Sequence, residues 1–289
     1  MRHASLDAFL RTGRAALARG PVAVLLVEDA VEVASTLRHA LRVGFRAVVA
    51  VADPGLPMPP EAEDPRVHLV ARALGPEGAG VAAVNACLRA APPGTWMSYF
   101  FNAEYLFYPF CEHRTVGEMC AFAEGERRSS VLTYVVDLYA GDLDRHPSAV
   151  ALDDAHLDRS GYYALQRRDR GGNPLDRQLD FFGGLRWRHE EHIPSARRRI
   201  DRVAVFRAAR GLELSGDHTF NVPEYNTYAC PWHHSPTAAL CSFRAAKALK
   251  RNPGSSFDIR TFRWHNSAPF AWRSQQLLDL GLMEPGQWF

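Results

Sequence analysis

Two unbroken apolar runs of six residues, VAVLLV at 22–27 and AVVAVA at 47–52, constrain this chain more than anything else in it. A strand with no polar face needs cover on both sides, which is the habit of parallel sheets. Between the runs, Val33, Leu37, Ala40 and Leu41 fall at helical spacing, and Gly44 supplies a helix stop. A β-α-β unit of about thirty residues follows, the length a right-handed crossover requires.

The same reading predicts a strand at 67–70, a small-residue helix at 80–91 ended by Pro92-Pro93-Gly94, and a strand at 96–101. Beyond residue 110 it predicts helical spacing over 116–123, a strand over 130–139 and polar loops over 141–180. Strands are expected at 203–208 and 213–214, an amphipathic helix at 237–250 and a short terminal helix at 273–282. Nothing repeats and no linker separates domains. The expectation is a single α/β domain over 1–289, with halves at about 20–110 and 111–289.

With 34 basic and 32 acidic residues the net charge is only +2, so the chain is no polycation for nucleic acid. Lys247 and Lys250 are the only lysines, so arginine clusters are not read automatically as sites. Five dispersed cysteines argue against a disulfide framework and for a reducing compartment. No apolar run is long enough to span a bilayer. The default expectation is cytoplasmic, with peripheral membrane contact left open. Arg197-Arg198-Arg199 reads as a solvated face, or as a contact for anionic lipid or a polyanionic acceptor.

In open α/β sheets ligands sit outside the carboxyl ends of strands. Glu28, Asp29, Asp53, Asn102 and Glu104 all stand at such ends and are expected to share one crevice. Asn102 and Glu104, separated by one residue, would point to the same side of an extended strand. Such a pair suits one hard divalent cation, or the ribose and diphosphate of a nucleotide. The plainer readings are a strand-end turn at Asn102, an Asx turn at Asp53 before Pro54-Gly55, and helix-start charge at Glu28-Asp29.

Four landmarks, in order, resemble the glycosyltransferase family 2 type of the GT-A fold. They are VAVLLV-Glu28-Asp29, AVVAVA-Asp53, Asn85, and the segment Trp96-Met97-Ser98-Tyr99-Phe100-Phe101-Asn102-Ala103-Glu104-Tyr105-Leu106. The last is similar to a W-x-x-x-x-D-A-D-E-F-L segment of a bacterial subgroup, with Asn and Glu where two Asp are expected. Gly183-Gly184-Leu185-Arg186-Trp187-Arg188, His218 and His233-His234 fit the second half of that subgroup. The resemblance runs from about residue 20 to about 245. It implies a GT-A-like, Rossmann-type mixed sheet flanked by helices, with an acceptor-side C-terminal portion. It also implies a nucleotide-diphosphate sugar donor and a saccharide or glycoconjugate acceptor.

By that analogy Glu28, Asp53, Asn85, Asn102, Arg186 and Arg188 would bind substrate. Asn102, Glu104 and His218 or His234 would hold Mn²⁺ or Mg²⁺. Direct displacement with inversion needs a carboxylate to take the acceptor proton, and Asp217 is the choice, with Glu191 and Glu224 behind it. A neutral Asn leaves three options: a weaker metal site, diphosphate held by Arg186 or Arg188, or loss of activity. The competing classes are a binding protein without turnover and a zinc hydrolase using His218, His233, His234 and Glu224. Cys230 with His233-His234, and Cys111-x-His113 with Cys120, lack the second ligand pair of a zinc finger.

Overall fold

The computed structural model describes residues 1–228 and 235–288. Between residues 22 and 101 its strands and helices are laid down as predicted, while the short strand Arg2–His3 and the helix Leu6–Thr12 ahead of them are additions. Strands β1 (Arg2–His3), β2 (Val22–Val27), β3 (Ala47–Ala52), β4 (Val67–Ala71) and β5 (Trp96–Phe101) pair in parallel in the order β1-β4-β3-β2-β5. Helices α1 (Leu6–Thr12), α2 (Val33–Arg42) and α3 (Ala79–Ala90) are threaded among them. Alternation in β2 explains the unbroken apolar run. Ala23, Leu25 and Val27 enter one core, with α2, while Val22, Val24 and Leu26 enter a second, with α1 and α3.

The chain then turns into β6 (Glu104–Phe107) and α4 (Val116–Gly125), the latter opened by a Thr115/Glu118 capping box. Next come β7 (Ser130–Val131), β8 (Thr133–Ala140), β9 (Ala155–Asp158), β10 (Tyr163–Arg168) and β11 (Pro174–Phe182). After α5 (Gly184–Arg188), β12 (Val205–Arg207) inserts antiparallel between β5 and β7, completing a seven-stranded mixed sheet. Then follow β13 (Ala238–Ser242), α6 (Arg244–Arg251), α7 (Pro253–Asp258), β14 (Ser267–Pro269) and α8 (Ser274–Asp279). A five-stranded sheet, β14-β9-β8-β13-β6, packs onto the first through the larger core. The result is one α/β domain with a mixed sheet flanked by helices.

Four sequence expectations fail locally. Residues 141–180 are not all loop: they hold β9 and most of the β10–β11 hairpin, whose β10 face is largely exposed and so carries no apolar alternation. The helix expected over 237–250 is a strand, β13, followed by a helix, α6. Ala238-Ala239-Leu240 has helical propensity, but burial between β6 and β8 overrides it. Residues 213–214 form only an isolated bridge from Leu214 to Phe220. Gly183–Arg188, a segment for which a bulged strand and a close backbone approach to substrate are the two readings its Gly-Gly-x-Arg-x-Arg pattern suggests, turns out of β11 into the short α5.

His39 makes the fold sensitive to mild acid. Its ring is buried, with Nε2 donating to the Leu106 carbonyl at 2.8 Å, and Arg42 approaching Nδ1 at 2.9 Å. Burial first, and then Arg42, push its pKa from 6.5 down to about 4. The unfolded chain therefore takes up a proton that the native one refuses. Stability is full above pH 6.5 and is expected to fall by about 1.4 kcal/mol per pH unit on the way to pH 4. His39→Gln should flatten that part of a urea-melt pH profile.

Candidate functional site

Glu28, Asp29 and Asn102 meet where β2 and β5 end, but the chemistry there differs from expectation because the chain stops being extended. β5 ends at Phe101, and Ala103 takes a left-handed backbone with φ of 60°. Strict alternation does not survive such a residue, so Asn102 and Glu104 face different surroundings. Asn102 Oδ1 accepts from the Glu28 N–H at 2.9 Å, and its Nδ2 donates to Asp29 Oδ1 and the Val31 carbonyl, both at 2.8 Å. The amide thus fastens the end of β2 and the loop entering α2. Only an amide can accept on one side and donate twice on the other.

Glu104 is fully buried and its carboxylate is saturated. Arg202 grips it in a fork, Nη1 to Oε2 at 2.5 Å and Nη2 to Oε1 at 2.9 Å. The Phe101 N–H adds a bond to Oε2 at 2.8 Å, and Ser242 Oγ one to Oε1 at 2.9 Å. Four donors meet the roughly four lone-pair sites of a carboxylate. Burial would push the Glu104 pKa up, but Arg202 and Arg244 and the Phe101 N–H hold it at about 2. The Arg202 guanidinium also lies 5.3 Å from the Phe101 ring and 5.9 Å from the Tyr99 ring. A dication beside Glu104 would find no free lone pair and would face a guanidinium. Among the described residues, Asn102 and Glu104 do not fit Mn²⁺ or Mg²⁺.

His218 follows the same logic. It stacks on Tyr99, and its Nδ1 lies 3.0 Å from the Tyr99 hydroxyl. Burial, and then Arg202 and Arg244, drive its pKa from 6.5 to about 3, so it is a neutral ring in a positive field. His234, the other metal candidate, lies outside the described residues, as do His233 and Cys230. Among the described residues no group of three or more His, Cys, Asp or Glu is arranged to hold a metal.

The rim of the crevice is set by α6. Arg244, Lys247 and Arg251 share one helix face by their spacing. Arg244 grips Glu28 through two bonds at 2.8 and 2.6 Å, while Lys247 and Arg251 reach Asp29 at 2.8 and 2.6 Å. Arg244 also lies over Phe101, its guanidinium carbon 3.8 Å from the ring centre, with about a third of its side chain exposed. Behind it Arg186 is buried and points at Asp137, 3.4 Å away. Arg186, Arg202 and Arg244 thus form one positive patch above the end of β5, with the neutral His218 beside it. A shallow depression of about 350 Å³ opens between the start of α2 and residues 57–59, on segments leaving β2 and β3.

The remaining candidates are each engaged by neighbouring groups. Asp53 accepts from the Gly55 N–H at 3.0 Å, an Asx turn. Asn85 clasps the Leu214 backbone, donating to its carbonyl at 2.9 Å and accepting its N–H at 2.8 Å. Arg188 is turned away to Asp158 and the Phe262 carbonyl, and covers Trp264. Asp217 is bound by Thr219 and Arg199, and these contacts outweigh partial burial to lower its pKa, which weakens it as a base. Glu224 pairs with Arg128 and Arg177. In the Arg197–Arg199 run, Arg198 pairs with Glu190 and Arg199 with Asp180 and Asp217, leaving Arg197 as its exposed member. No helix among the described residues is long and apolar enough to cross a membrane.

Sequence reasoning missed Arg202, Ser242, Arg244 and Asp137. Arg202 follows the Arg197-Arg198-Arg199 run and directly precedes the apolar run 203–206, a place that gives no sign of a buried partner 98 residues away. A search of protein-family models finds no match to the chain, and a search of curated proteins finds none either.

Proposed function

We propose that the protein binds a nucleotide-diphosphate sugar over the carboxyl ends of β2, β3 and β5 and transfers the sugar to a saccharide-type acceptor. It would do so as a GT-A-type glycosyltransferase of the family 2 kind. The observation that carries this reading is the Glu104–Arg202 fork, which puts a fixed guanidinium where the D-x-D analogy expects a divalent cation. Departure of a diphosphate needs positive charge, and arginine supplies it without metal. Arg244 is the exposed member of the patch and the one able to grip phosphate, with Arg202 adding charge from behind.

In this account Glu28 competes with the ligand for Arg244. Glu28→Gln is expected to tighten binding of uridine, guanosine or thymidine diphosphate roughly two- to fivefold, since exposed pairs are worth about 1 kcal/mol or less. Arg244→Ala should weaken it about tenfold. Calorimetry in EDTA reads both; equal affinity in all three proteins would sink the assignment.

A second reading, a sugar-nucleotide-binding protein without turnover, is favoured by the occupied, pKa-lowered Asp217. Release of nucleoside diphosphate from a bound sugar nucleotide in the presence of acceptor oligosaccharides separates the two.

A further inference from the structure

Next to the patch along α5, two tryptophan rings close over one glycine at the surface. Gly161 stands at φ 92°, and a Cβ built there would lie 3.1 Å from the Trp187 ring and 4.0 Å from the Trp264 ring. A side chain at that point would push the rings apart, so glycine is what lets them meet. The partners come from three stretches of chain. Trp187 is supplied by α5, Gly161 by the segment after β9, and Trp264 by the segment before β14. β9 pairs with β14, and the Arg159 N–H donates to the Asn266 carbonyl at 2.9 Å, which sets those two segments side by side.

The two rings are not held alike. Trp264 is anchored: its indole N–H donates to Asp158 at 2.8 Å, and the Arg188 guanidinium covers the ring at 4.6 Å. Trp187 is 41% exposed, and among the described residues no hydrogen bond engages its indole N–H. Trp96 and Trp272, by contrast, each bond theirs, to Glu124 and to the Leu152 carbonyl. An exposed tryptophan with a fixed neighbour and a free donor is an amphipathic platform. Its rim is polar: Arg159, Ser160 and His265 are exposed, and Asn266 donates to Ser160 Oγ at 2.6 Å.

That combination selects the occupant. A protein partner needs a broad contiguous apolar patch, and this one is two rings wide inside a charged and hydroxylic rim. A sugar ring carries the matching surface. Its face presents C–H groups to an indole, and its edge presents hydroxyls to an indole N–H, a guanidinium and a serine. We propose that Trp187 and Trp264, closed over Gly161, form the subsite that seats the acceptor saccharide. The inference rests on the transferase reading for the word acceptor, and on the platform alone for saccharide binding. Arg186, whose guanidinium belongs to the positive patch, directly precedes Trp187 in α5, so the platform borders the place assigned to the diphosphate.

The test is saturation-transfer NMR on the intact chain with cellotetraose, maltotetraose, chitotetraose and xylotetraose, beside calorimetry of uridine diphosphate binding. At least one oligosaccharide is expected to give a protein-dependent signal, strongest on the C–H protons. Trp187→Ala, at an exposed position, should weaken it about tenfold at unchanged melting temperature. Trp187→Phe, which keeps a ring but no donor, should retain part of it. No signal from any of the four, or a signal that Trp187→Ala leaves intact, overturns the proposal. So does loss of uridine diphosphate binding in folded Trp187→Ala protein, which would put the nucleotide base on the platform instead. Saccharide signals without nucleotide binding would support the platform while removing the donor reading. Nucleotide binding without saccharide signals would do the reverse.

Discussion

Arg202→Met is expected to lower the unfolding free energy by about 3–5 kcal/mol, the usual cost of removing one partner from a buried pair. Glu104 would keep only the Phe101 N–H and Ser242 as donors while remaining out of water. The double variant Glu104→Leu with Arg202→Met should recover most of the loss, because a buried ion pair replaced by apolar groups of similar volume is often near neutral. The pH profile carries the sign. In the native protein Glu104 is held at about 2, below its ordinary 4.5. Its stabilising share is therefore present above pH 4.5 and lost as pH falls toward 2. Without Arg202 the carboxyl, pushed up by burial, takes a proton more readily. The gap between native and variant should therefore narrow through that same window in urea melts.

Restoring the aspartate that the D-x-D analogy expects is predicted to harm the protein. Asn102→Asp would set a carboxylate against Asp29 Oδ1 and the Val31 carbonyl, replacing two 2.8 Å hydrogen bonds with repulsion. A loss of about 2–4 kcal/mol at neutral pH follows from unsatisfied buried groups and like charge. Acid should relieve it as the new carboxyl is protonated. Titration followed by manganese electron paramagnetic resonance should show no gain in Mn²⁺ affinity, because Glu104 stays closed by Arg202. Stability equal to the parent together with new Mn²⁺ binding would show that the crevice is a dormant metal site.

What the sequence made legible tracks how directly local pattern fixes structure. β2, β3 and β5 were readable to the residue because a strand buried on both faces leaves an unbroken apolar run. β13 was not, because alanine-rich residues favour a helix until two neighbouring strands claim them. At the site, the landmark residues were found but their roles were not. One left-handed residue, Ala103, separates Asn102 from Glu104, and the sequence Asn-Ala-Glu gives no sign of it. The partners that decide the chemistry lie far along the chain: Arg202 is 98 residues from Glu104, and Arg244 is 216 from Glu28. Contacts of that range come from topology. An amphipathic helix is expected over 237–250, but neither the basic face of α6 nor its carboxylate partners Glu28 and Asp29 can be read from that pattern.

The central claim is that an internal arginine stands in the place of a cation. It is tested most directly by calorimetric titration of the native protein with uridine, guanosine and thymidine diphosphates, each in EDTA and in excess Mn²⁺. The account predicts that at least one binds, with the same affinity within about twofold in both conditions. Binding that appears only with Mn²⁺ would contradict it, as would no binding of any of the three.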